Sequence, residues 1–210
     1  MTTDLTLMEN LKATTRADHD SAEGHDFQRL LFSGQLPYET FCDYVGQLFV
    51  LHKALEDELK LACKDERVKK VLGDWQLQEG FLNADLSALG RKSADCKPLA
   101  ATAKIVESIK ATSKKHPIAL LGYHYVLLGS KHGARMICPN LKKSYNLDGH
   151  DGTLYFDPYE GKFHQLWSEF KDSMNANELN ESETAEILDA AKLMFRAMGE
   201  IGEGLHANAA

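Results

Sequence analysis

Between Gly122 and Ile137 the sequence reads as a helix with one face stripped of side chains. Pro117 suits a first turn, an apolar run follows, and Cys138-Pro139 is the expected stop. Gly129 and Gly133 stand four residues apart and so share a face, where each costs about 1 kcal/mol relative to alanine. Something must offset that cost. Paired positions without side chains admit a flat or bulky object directly against the backbone, either another helix in a close crossing or a planar ligand. They also soften the helix enough to bend. The rest of the chain has to decide between these two occupants.

Composition narrows the field. A chain of 210 residues fits one domain, here 1–210, and is long enough to bury a sizeable core. No apolar run approaches the roughly 20 residues that a membrane span needs. Met1-Thr2-Thr3-Asp4 lacks the basic start and apolar core of a signal peptide, so a cytoplasmic location without a membrane anchor is expected. The net charge of -7 argues against nucleic acid as a partner, because phosphate binding calls for a basic face. Cys42, Cys63, Cys96 and Cys138 form no C-x-x-C pair, so they are read as reduced, small core residues.

Helical periodicity runs through the whole chain. A first helix is expected from about Thr6 to Glu23, with Leu7, Met8, Leu11, Thr15, His19 and Ala22 at three- and four-residue spacing, which puts His19 on the inward stripe. Thr15, His19 and Glu23 are successive i, i+4 neighbours, so a hydroxyl and a carboxylate flank the imidazole. Such partners fix a histidine's tautomer and leave its other nitrogen for a metal, although a satisfied core histidine has the same surroundings. Pro37 opens a long helix to about Cys63, striped by Phe41, Tyr44, Val45, Leu48, Phe49, His52, Leu55 and Leu59, with His52 read as a packed, hydrogen-bonded residue. Two short helices follow before Gly90, then one from Pro98 to about Ser113. Residues 139–161, rich in Gly, Asp, Asn and Pro, read as a short helix plus a loop. Lys162 to Asn175 and Glu181 to about Leu205 complete the set, the last helix with Asn180 and Glu183 in a capping-box pattern. Strand alternation is nowhere convincing. The expected fold is a single-domain, all-α bundle of seven to nine helices.

Several chemistries are missing from the sequence. It has no G-x-x-x-x-G-K-[ST] phosphate loop, no H-E-x-x-H zinc pair and no G-x-S-x-G nucleophile turn. Nor does it place Glu-x-x-His twice in inward register, as a di-iron bundle requires. What remains is one flanked histidine on the first helix and one helix bare of side chains, both in apolar surroundings. A planar, apolar, metal-containing ligand accounts for both together: heme, with imidazole on one face and glycine backbone on the other.

At this point the sequence resembles a known family. Leu11 to Glu23, with its threonine, histidine and glutamate at four-residue spacing, is similar to the proximal helix of heme oxygenases. Leu48-Phe49-Val50-Leu51-His52-Lys53-Ala54-Leu55-Glu56 is similar to that family's aromatic-plus-Ala-Leu-Glu stretch. Tyr125-Val126-Leu127-Leu128-Gly129-Ser130, continued by Gly133-Ala134, resembles the distal helix of the bacterial branch. Phe163 to Trp167 with Met174-Asn175 resembles the segment after the loop. The likeness spans nearly the whole chain in the right order. It implies a heme oxygenase-type bundle with heme sandwiched between the first helix and a glycine-kinked distal helix. It also implies the activity: O2- and electron-dependent cleavage of heme to biliverdin, CO and ferrous iron, with heme as both substrate and cofactor.

Carried over residue by residue, the resemblance implies His19 as the iron ligand, with Thr15 and Glu23 flanking it. It implies Gly129 and Gly133 as the surface that approaches the heme, and Ser130 beside the distal water network. Lys12, Tyr125 and Lys171 are implied at the propionate edge. Electrons would come from an external donor, a ferredoxin or an NADPH-dependent reductase. Ser130 stands where mammalian members carry an aspartate, a pattern that the bacterial branch shares. His132 leaves two readings open. Packed sideways, it is part of the helix interface; ligating iron, it would make the protein a non-catalytic heme-binding or heme-delivery protein on the same fold. The sequence leaves the oligomeric state open, with a monomer favoured.

Overall fold

The computed structural model describes residues 5–209; the N-terminal tetrapeptide read above for a leader and Ala210 lie outside the described residues. Eleven α-helices and three short 3-10 turns follow one another, with no strand among the described residues. The helices are α1 (Leu7–Thr14), α2 (Arg16–Glu23), α3 (Asp26–Ser33), α4 (Tyr38–Ala62), α5 (Glu66–Val71), α6 (Glu79–Ala88), α7 (Ala100–Lys115), α8 (Leu120–Gly129), α9 (Lys131–Tyr145), α10 (Phe163–Asn175) and α11 (Glu181–Ala209). The all-α expectation holds. The helix count exceeds seven to nine because two helices expected to be continuous are each divided in two.

The central element is α4, which packs against α6, α7, α8 and α11. It buries Phe41, Leu48, Leu51, Leu55 and Leu59 along its stripe, each contributing roughly 1.5–3 kcal/mol of burial. The crossing of α8 with α11 is closer still. A Cβ on Gly122 would lie 2.1 Å from the Ile187 carbonyl oxygen, so only glycine admits that approach. At the start of α11 the expected capping box is formed: the Glu183 N–H donates to Asn180 Oδ1 at 2.9 Å, and the Asn180 N–H donates to Glu183 Oε2 at 3.1 Å.

The first expected helix breaks at Thr15, whose backbone has φ -95 and ψ 1. The Thr15 hydroxyl donates to the Leu11 carbonyl at 2.7 Å, the back-bond that bends helices. This break turns α2 away from the register of α1. Met8, Leu11 and Thr15 are buried, whereas α2 buries none of its residues and the His19 side chain is 47% exposed. The inward position that periodicity predicts for His19 is therefore corrected by the structure.

The glycine helix also differs from its sequence pattern. It begins as a 3-10 turn at Pro117, is interrupted at Ser130, and does not stop at Cys138-Pro139 but continues as α9 to Tyr145. The Pro139 ring removes only the N–H that would have met the Arg135 carbonyl, on a stretch where Arg135, Met136 and Pro139 face solvent. Contacts to α3 and the segment after it hold the extension. The Asn140 side chain donates to the Phe32 carbonyl at 2.8 Å and the Tyr145 hydroxyl to the Leu36 carbonyl at 2.8 Å. Asn146, with φ 52 and ψ 48, closes the helix in the left-handed conformation.

Candidate heme site

The residues singled out by sequence lie on α1, α2, α8, α9 and α10 and at the breaks between them. On α2, His19 Nδ1 and Nε2 lie 3.5 Å from carboxylate oxygens of Asp20 and Glu23 respectively. Both distances exceed those of strong hydrogen bonds, so the ring keeps a nitrogen for coordination. Phe195 of α11 meets the imidazole edge-on with ring centroids 5.5 Å apart. Asp18 anchors the same helix by accepting from Arg196 Nε at 2.8 Å. Lys12 on α1 is exposed.

Tyr125, Gly129 and His132 line one face of α8 and the start of α9, and Trp167 of α10 lies on that face. Tyr125 of α8 lies near Thr15 at the α1–α2 break. Burial pushes the Tyr125 phenol up from its usual range. Trp167 covers Gly129: a Cβ there would lie 3.3 Å from the indole. The His132 ring stands edge-on to Phe163 at 4.8 Å and to Trp167 at 5.0 Å, so it belongs to this aromatic group. Burial pushes the His132 imidazole down, with His164 and Lys171 nearby adding to the shift. Gly133 is different from Gly129, for a Cβ on it would meet nothing within 4 Å. The two glycines therefore have two occupants: an indole over the first and open space over the second. Ser130 sits at the break between them, its hydroxyl donating to the Leu127 carbonyl at 2.7 Å.

Behind this break lies a buried polar group that sequence reading did not assemble. Lys131 is buried, donates from Nζ to the Tyr155 carbonyl at 2.6 Å and stands 2.8 Å from the centre of the Tyr155 ring. Asp85 of α6 accepts the backbone N–H groups of Leu154 and Tyr155 at 2.7 and 2.8 Å. Desolvation pushes the Asp85 carboxyl up to about 6 and the Lys131 amine well below its ordinary value. His52 is buried, as expected, with Nε2 3.0 Å from the Tyr155 hydroxyl. His124 of α8, which burial pushes down to about 4, shares a 2.7 Å hydrogen bond with Gln76. The sequence held two signals for this group: a lysine inside an apolar helix and the aromatic density of residues 155–159. Two clefts, of about 510 and 880 Å³, flank α4 near Cys96 and share no residue with the His19 or Gly129 faces.

Comparison with known proteins bears on this geometry. The sequence model of the heme oxygenase family matches residues 5–203. Heme oxygenase 1 of Gallus gallus is 27% identical over 210 residues, covering 95% of this chain and 69% of that protein. Among solved structures, heme oxygenase-2 of Synechocystis in complex with heme and NO superposes with a TM-score of 0.91 at 21% identity, covering 98% of this chain and 87% of the other. The heme oxygenase of Leptospira interrogans gives 0.87 at 21% identity, covering 95% and 100%. The structural likenesses speak for the fold, and the family match spans both the His19 helix and the glycine helix. The chain belongs to the heme oxygenase family.

Proposed function

We propose that this chain is a heme oxygenase that cleaves heme to biliverdin, CO and ferrous iron, in which His19 would hold the heme iron and the Ser130–Gly133 segment would line the heme site. The observations that carry the reading are an accessible imidazole on α2, a helix that buries none of its residues, and an open glycine on α9. Those residues fit heme. His19 offers an accessible imidazole nitrogen, and the bare Gly133 surface admits a flat ring against backbone. Bound heme supplies both the iron centre at which O2 is activated and the porphyrin carbon that is cleaved, with electrons from an external reductase or ferredoxin.

The protein's own share is binding and positioning. His19 binds, and the carboxylates of Asp20 and Glu23 orient its ring. Phe163, Trp167 and His132 form an aromatic wall that excludes water from one side and limits where the macrocycle lies. The Ser130 hydroxyl and nearby backbone provide hydrogen bonding without a strong acid beside the reacting oxygen. Lys12, Tyr125 and Lys171 are the candidates for the propionate carboxylates. The engagement of His132 with Phe163 and Trp167 favours the oxygenase over the heme-delivery reading, which needs that ring on the iron.

A hemin titration of the protein and of His19→Ala, followed by reductant in air, tests this. The expected result is a 1:1 Soret band in the wild type that depends on His19 and decays into a biliverdin spectrum. A Soret band that persists under reductant and O2 would establish a carrier instead, and no Soret band at all would overturn heme binding.

A further inference from the structure

Lys131 is the first residue of α9 and directly follows Ser130, where the glycine helix is interrupted. Two positions separate it from Gly133, so the two residues lie on opposite sides of α9, the glycine against open space and the lysine only 3% exposed. An apolar side chain would fill the buried position at lower cost, because a buried amine loses hydration that hydrogen bonds must replace. What the amine reaches is the segment 146–162, which joins α9 to α10 without helix or strand. Lys131 Nζ donates to the Tyr155 carbonyl at 2.6 Å and stands 2.8 Å from the centre of the Tyr155 ring. Outside regular structure that carbonyl needs a donor from elsewhere in the fold.

Tyr155 is itself fixed to the rest of the bundle. Asp85 of α6 accepts the N–H groups of Leu154 and Tyr155 at 2.7 and 2.8 Å, and the Tyr155 hydroxyl lies 3.0 Å from His52 Nε2 on α4. Two more residues of α9 hold the same segment: Arg135 Nε is 3.7 Å from Asp157, and Cys138 Sγ donates to the Thr153 carbonyl at 3.7 Å. Lys131, Arg135 and Cys138 stand at i, i+4 and i+7, so one stripe of α9 grips the segment along its length. Farther on, the Tyr159 hydroxyl donates to the Trp75 carbonyl at 3.0 Å and accepts from Gln78 Nε2 at 2.7 Å. The Tyr159 ring stacks on Phe163, which stands edge-on to His132. The start of α9 is thus held through Lys131 on one side and His132 on the other. Ser130 adds no such tie, since its hydroxyl donates to Leu127 in its own helix.

We propose, on the heme reading of the preceding section, that Lys131 is a positioning residue: by fastening the start of α9 to Tyr155, it fixes where the bare Gly133 backbone stands and so how the macrocycle seats. The lysine acts through the α9 backbone, on the side away from Gly133. A hydrogen bond suits this task better than packing, because it is directional and holds its distance within a few tenths of an ångström, whereas an apolar chain can slide in its groove.

The test uses three variants, each loaded with hemin. Lys131→Met keeps the length of the stem and removes the donor. Asp85→Asn weakens the attachment of Tyr155 from α6, and Leu59→Ala opens the core outside this attachment. NMR of the ferric complex reads the seating of the macrocycle from its shifted methyl resonances, and reductant in air gives kcat. Lys131→Met and Asp85→Asn should each add a second set of methyl resonances. They should also lower kcat by about 10-fold or more with the heme Kd changed less than about twofold, since a shift of order 1 Å costs up to about 100-fold in rate. Leu59→Ala should lower the urea midpoint and keep the wild-type resonances. A wild-type pattern in folded Lys131→Met overturns the inference and leaves the heme reading standing; where that variant does not fold, a wild-type pattern in Asp85→Asn does the same. Resonances changed as much in Leu59→Ala as in Lys131→Met also overturn it, because any loosening of the core would then suffice. Absence of a His19-dependent Soret band in the wild type overturns the heme reading, and the role of Lys131 with it.

Discussion

The α2 helix buries none of its 8 residues, whereas α8 buries 8 of its 10. On the proposed reading these are the two walls of the heme site, and they are held by different forces. α8 is locked by the α11 crossing at Gly122 and by core side chains on every side but the one that meets α10. α2 lies along α11 without burying a residue, tied there by the Asp18–Arg196 hydrogen bond and the His19–Phe195 contact. The contrast teaches that α8 is fixed by folding, whereas α2, which buries none of its residues, would gain burial from heme bound as proposed. A rigid wall sets geometry and a loose one admits the ligand.

The comparison breaks most visibly at the crossing. Gly122→Val drives a side chain into the Ile187 carbonyl oxygen and should cost about 3 kcal/mol or more, read as a fall in the urea midpoint. His19→Ala on the other wall should move the same midpoint by under about 0.5 kcal/mol while abolishing the heme complex. Equal losses from the two variants would mean that α2 is part of the core after all.

Hydrogen exchange sharpens the same point. Amides of α2 should exchange fast without heme and gain about 2.7 kcal/mol of protection at free heme 100-fold above Kd, while those of α8 stay at the global limit throughout. Protection of α2 before heme is added would remove the contrast.

The smallest effect separates the two glycines. Gly133→Ala meets open space and should stabilise the heme-free protein by about 0.5–1 kcal/mol while weakening heme binding. Gly129→Ala, 3.3 Å from the Trp167 indole, should gain little because the indole must shift. Heme affinity unchanged in Gly133→Ala would return that glycine to a role in helix bending alone.

Local physics determined much of this protein before any fold existed. The periodicities of α4 and α11, the Asn180–Glu183 cap and the cost of Gly129 and Gly133 are properties of short segments. Segments of that length are governed by contacts within three or four residues. His19, Gly129 and Gly133 stood out as candidates for the same reason, since each is a pattern along a short segment.

Tertiary structure decided what spacing cannot express. The break at Thr15 put His19 on an accessible helix face, and the docking of α10 put Trp167 over Gly129 but not over Gly133. Contacts from α3 carried a helix through Pro139. Lys131 and Tyr155, 24 residues apart, met only because the loop folds back on α9, where Asp85 of α6 secures it. Burial and long-range hydrogen bonds depend on which elements become neighbours, and neighbours are chosen by the sum of core packing across the whole chain, which no single stretch of sequence contains.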